Sequence, residues 1–133
     1  MHTDTVAPHH RVDSLQQAAP EGFHLESSLW NQLAKRYQEP HRHYHTLEHL
    51  AAFSTRFVEV QQELGWDHPL DVYAALLYHD VIYDPARQDN EEQSAHVAVA
   101  VLSKESSPFC LPTIRQLILL TATHGQVEPG SLT

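Results

Sequence analysis

At 133 residues the chain is long enough for one domain with a real core, and 41% hydrophobic residues with only four glycines argue against a disordered polypeptide. Eight basic residues against seventeen acidic ones leave a formal charge of −9, which argues against a nucleic-acid duplex as partner. The single cysteine, Cys110, rules out an intrachain disulfide and fits a reducing compartment, whereas twelve histidines are a surplus that needs a reason.

No apolar run of about 18 residues is present to span a membrane, and Met1–Arg11 lacks a signal-peptide core, so a cytoplasmic protein is expected. Residues 1–22 read as a polar N-terminal arm around Pro8, His9, His10 and Pro20, ahead of a helical body over 23–133. Ser27 and Ser28 offer N-caps for a first helix through Leu29, Trp30, Leu33, Ala34 and Tyr37, closed by Pro40.

Four histidines then fall within the nine residues His41–His49. From about Thr46 a second helix is predicted to Leu64, with Leu50, Phe53, Phe57, Val60 and Leu64 as its buried stripe and Gly65 at C′. His45 and His49 are four apart and so share one side of its start, with His49 in reach of the core. His41 and His43 read as loop or rim residues.

A third helix is predicted over about Leu70–Tyr83, stopped by Asp84-Pro85, with Val72, Leu76, His79 and Tyr83 on its core-facing stripe. Asp80 stands beside that histidine, and a buried carboxylate needs a cation, a donor network or a metal. A fourth helix follows over about Asn90–Lys104. Asp89 and Glu92 at its start fit a capping box, and Glu92 rather than Glu91 is the acid with a further role if this end faces the histidines. A fifth helix opens at Pro112 and runs through Ile114, Leu117, Ile118 and Thr121 to His124. The expected fold class is all-α, a bundle of about five helices with short connections.

His49, His79 and Asp80 are therefore candidate metal ligands, a set that suits Mn, Fe, Zn, Ni or Mg. Tyr78-His79-Asp80 after an apolar helix, with an earlier histidine on the preceding helix, resembles the HD superfamily of metal-dependent phosphohydrolases. The closer likeness is to a bacterial subfamily of predicted phosphohydrolases. It runs through Arg36-Tyr37, His41-Arg42-His43-Tyr44-His45-Thr46-Leu47-Glu48-His49, Tyr78–Pro85 and Asp89–Ala95. Tyr44–His49 is also similar to the Y-H-N-x-x-H element of cyclic nucleotide phosphodiesterases.

The resemblance implies an HD-like helical domain holding a divalent metal ion that hydrolyses a phosphomonoester or phosphodiester, a nucleotide among the options. By it His49, His79 and Asp80 are ligands, His45 is the general acid, Asp80 orients or deprotonates the nucleophile, and Glu92 orders water. Arg42 would neutralise phosphate charge, unless it is solvated or paired with an acid. The superfamily's last aspartate follows a Thr-x-x-His stretch, matched here by Thr121-Ala122-Thr123-His124. Beyond it the only acid is Glu128, so the site is either that of a short form or is completed by His124, Glu92 or water. The alternatives are a non-catalytic metal- or nucleotide-binding module with an incomplete site, and a plain helical protein whose exposed groove favours a homodimer.

Overall fold

Apolar spacing of three and four residues folds as helix through most of the described chain, and Pro8–Ala18, within the segment expected to be a polar arm, is helical as well. The computed structural model describes residues 8–42 and 46–123, and side chains within 12–42 and 46–122. Among these the order is α1 (Pro8–Ala18), α2 (Ser27–Tyr37), α3 (Leu47–Glu63), α4 (Pro69–Tyr78), α5 (Asn90–Leu102) and α6 (Leu111–Thr123), with no strand. The fold is all-α, with one helix more than the sequence suggested.

That extra helix is α1, within the segment read as a polar arm. Its burial rests on Val12, Leu15 and Ala18, three apart on one helical face, and polar neighbours conceal the pattern. Leu15 is fully buried, which stabilises the docked helix by about 1.5–3 kcal/mol. Its carbonyl also accepts a 2.6 Å hydrogen bond from the buried Tyr73 hydroxyl, tying α1 to α4.

Helix α4 is the centre of the bundle and packs against α3, α5 and α6. Asp71, Tyr73, Ala74, Ala75, Leu77 and Tyr78 are its buried residues, while Val72 and Leu76 of the expected stripe are only half-buried. A helix surrounded on several sides has no single core face, so periodicity picked out one side of several. The Asp71 carboxylate, buried here, accepts from the Cys110 N–H at 2.8 Å and so caps the start of α6.

In α3, Thr46 is the N-cap and its hydroxyl accepts from the His49 N–H. Leu50, Phe57 and Val60 are buried as expected, but Leu64 is 82% exposed. Leu64 lies one residue past the helix with non-helical backbone angles (φ −122°, ψ −28°), so the stripe's geometry no longer applies to it. Trp66 takes the place instead: its ring stacks on Phe57 at 5.5 Å and its Nε1–H donates to the Phe57 carbonyl. Gly65 between them has φ +77°, the left-handed conformation that ends the helix.

The expected capping box at α5 does not form. Asp89 is the N-cap, yet its carboxylate binds the Arg87 guanidinium at 2.7 and 2.8 Å and the Gln93 amide instead of a helix N–H. A two-pronged charged bond outcompetes a backbone donor. The hydrogen bond to Arg87 holds the Asp89 pKa down at about 2. No described helix is long and apolar enough to cross a membrane.

Candidate metal centre

Helix α4 ends at Tyr78, five residues before the expected Tyr83, so His79 and Asp80 stand on the turn that leaves the helix. The His79 Nδ1 lies 2.7 Å from the Leu76 carbonyl. A carbonyl only accepts, so Nδ1 carries a hydrogen and Nε2 is the nitrogen left for other chemistry. That Nε2 is 3.0 Å from Asp80 Oδ2, and the two side chains are 15% and 19% exposed. Phe53 sets its edge against the imidazole, with ring centroids 5.6 Å apart.

Burial is the largest single influence on the His79 pKa and lowers it. The hydrogen bond and charge of Asp80, the Leu76 carbonyl and the charge of Glu91 together outweigh it and raise the pKa above its ordinary value. The pair thus favours the protonated imidazole more than an isolated histidine would.

The early end of α4 has a physical cause in the next residues' backbone. The Tyr37 hydroxyl donates to the Leu77 carbonyl at 2.8 Å and accepts from the Asp80 N–H at 3.2 Å. Arg42 donates through Nη1 to the Asp80 carbonyl at 2.7 Å and through Nη2 to the Val81 carbonyl at 2.9 Å. The Ser94 hydroxyl, fully buried, accepts from the Ile82 N–H and donates to the Ile82 carbonyl. His41 Nε2 donates to the Tyr83 carbonyl, and the Asn90 amide binds both backbone groups of Asp84. Groups that would otherwise continue the helical ladder are satisfied by side chains from α2, the loop after it and α5.

The Nδ1–H anchored on a carbonyl leaves Nε2 as the nitrogen that would face a cation, with Asp80 Oδ2 beside it as a second donor, and this orientation is what fits the pair to a metal. Among the described residues, no group of three His, Cys, Asp or Glu side chains is arranged to hold an ion. The pair would supply two ligands at most, and the described residues complete no set around it.

The other residues singled out in the sequence are placed as follows. His49 is exposed at the start of α3, its ring 5.1 Å from that of Phe53, so Phe53 is the common neighbour of His49 and His79. Glu92 is exposed, whereas Glu91, set aside in the sequence reading, is half-buried and is the acid whose charge acts on His79. Position N2 turns towards the site and N3 away from it.

The Arg42 side chain is fully buried, paired with Glu39 at 3.1 Å and stacked on the Tyr37 and Tyr83 rings. Of the options open to it from the sequence, the structure shows pairing with an acid. His45 and His124 lie outside the described residues.

Sequence reasoning missed Tyr37, Ser94 and Asn90 as members of the site. The signal was present, because all three stand in the stretches that carried the family likeness. Set against models of protein families, curated proteins and solved structures, the chain matches none.

Proposed function

We propose that the chain is a metal-dependent phosphohydrolase of the HD type, hydrolysing a phosphomonoester or phosphodiester. The observation that carries this reading is the His79–Asp80 contact, 3.0 Å long, with the imidazole's other nitrogen already tied to the Leu76 carbonyl. Two half-buried ligand groups, fixed in orientation and next to each other, are a poor way to build a core and a good way to begin a metal site.

In this proposal His79 and Asp80 hold a divalent ion of the Mn, Fe, Zn, Ni or Mg group, while His49, exposed at the start of α3, forms no three-ligand group with them among the described residues. When bound, such an ion lowers the pKa of its water towards ~7 and polarises a phosphoryl oxygen. Asp80 orients or deprotonates the attacking water. His45 gives a proton to the leaving oxygen, for which an imidazole pKa near ~6.5 is suited at neutral pH. Glu91, half-buried at the start of α5, orders water beside the ligand imidazole, the part the sequence reading gave to Glu92, which faces away. Arg42 is committed to backbone carbonyls inside the protein, so phosphate charge is met by the metal and by His45.

The test is turnover of a panel of phosphomonoesters, phosphodiesters and nucleotides with added Mn²⁺, comparing wild type with His79→Ala and Asp80→Ala. Loss of at least about 100-fold in both variants is expected. Equal turnover in wild type and His79→Ala sinks the mechanism.

A second reading, a non-catalytic metal- or nucleotide-binding module, is favoured by one observation: the described residues hold no three-ligand group. Near-stoichiometric metal lost in Asp80→Ala, with no turnover on any ester, would select it.

A further inference from the structure

We infer that Tyr37 and Arg42 are positioning residues that set how tightly the His79–Asp80 pair holds a divalent cation, acting only through the backbone of the turn. This rests on the metal reading above.

Both backbone groups of Asp80 are held from outside its own helix: its N–H by the Tyr37 hydroxyl and its carbonyl by Arg42. The same two side chains take the Leu77 and Val81 carbonyls, on either side of the pair. The Cα of Asp80, and with it the direction of its carboxylate, is therefore placed by α2 and the loop that follows α2. Along the chain itself the turn is closed by the Val81 N–H on the Tyr78 carbonyl.

The brace is itself immobilised. The Arg42 side chain has no exposed surface, its Nε bonds Glu39 at 3.1 Å, and its guanidinium carbon lies 4.8 Å from the Tyr37 ring centroid and 5.7 Å from that of Tyr83. A planar guanidinium can hold two successive carbonyls at once, whereas a lysine ammonium presents one nitrogen and cannot reproduce that fork. Ligand pairs tolerate displacements of only about 0.5 Å before binding suffers. Slack in this turn therefore becomes loss of affinity although neither Tyr37 nor Arg42 reaches the ion.

The experiment uses the full chain as wild type, Arg42→Lys and Tyr37→Phe. Co²⁺ is titrated by visible absorbance, amide exchange is followed at residues 80–82, and thermal unfolding checks the fold. Arg42→Lys should weaken Co²⁺ binding by about 10–100-fold, as loss of an orienting partner does, and Tyr37→Phe by a smaller factor. Exchange should rise at Asp80, Val81 and Ile82 and stay at wild-type rates in α3 and α6. Wild-type affinity in both variants overturns the inference while leaving the metal reading intact.

If the wild type binds no Co²⁺, the metal reading fails and exchange alone judges the brace. A selective rise at Asp80 in Tyr37→Phe upholds its positioning role, and unchanged exchange overturns it. If Arg42→Lys does not fold, Tyr37→Phe carries every comparison.

Discussion

Replacing Ser94 by alanine isolates one strand of the brace. The Ser94 hydroxyl is fully buried and serves two backbone groups of Ile82, accepting from its N–H at 3.0 Å and donating to its carbonyl at 3.3 Å. Alanine fits the space but leaves the Ile82 N–H without this partner, a loss of about 1–3 kcal/mol. Alanine's better helix propensity returns about 0.5 kcal/mol at this position inside α5. The net expectation is destabilisation by about 0.5–2.5 kcal/mol.

The assay is urea unfolding at constant m-value, with Ser103→Ala as the internal reference. The Ser103 hydroxyl is exposed and bonds only the Ala100 carbonyl of its own helix, so that change should stay within about 0.5 kcal/mol of wild type. Hydrogen exchange should place the loss at Ile82. Ser94→Ala no more costly than Ser103→Ala would refute the claim that α5 holds the site turn.

Two further outcomes follow from the geometry. Because the folded-state pKa of His79 is raised above an unfolded value near ~6.5, its contact with Asp80 contributes fully below that pH and is lost as pH rises through the raised pKa. The stability difference between metal-free wild type and His79→Gln should therefore shrink from about pH 5.5 to about pH 8.5, measured by urea midpoints. A difference that grows with pH contradicts the assignment. Leu15→Ala should cost about 2–5 kcal/mol and expose the Tyr73 region, because Leu15 has no exposed surface. Limited proteolysis within α1 read beside the unfolding midpoint checks this, and an unchanged midpoint would mean that α1 does not dock in solution.

Most of the helices were legible because a stripe of apolar residues at steps of three and four survives in any context. Leu50, Phe57 and Val60 in α3 and Ile114 and Ile118 in α6 are buried where that rule puts them. What was not legible depends on partners far away in sequence. The third helix was expected to reach Tyr83, since nothing within residues 70–83 forbids it. It stops at Tyr78, where side chains from positions 37, 42 and 94 take the backbone groups of the turn.

The same cause explains Arg42. A cation among histidines suggests a phosphate rim, but only the fold shows two carbonyls in front of it. Helix α1 was hidden by composition, its burial carried by Val12, Leu15 and Ala18 among polar residues. Glu91 and Glu92 were separable only once the rotation of α5 was known.

The bonds that fix Asp80 join positions 38 to 43 residues apart, from Arg42 and Tyr37 on one side to the turn on the other. No short fragment of the chain can reproduce that geometry, so a peptide carrying Tyr78-His79-Asp80 should have none of its behaviour. A ligand that grips the pair is accordingly linked to Tyr37 and Arg42, which hold the turn from α2 and the loop after it. Its binding should register as a higher unfolding temperature for the whole bundle rather than as the quieting of one turn.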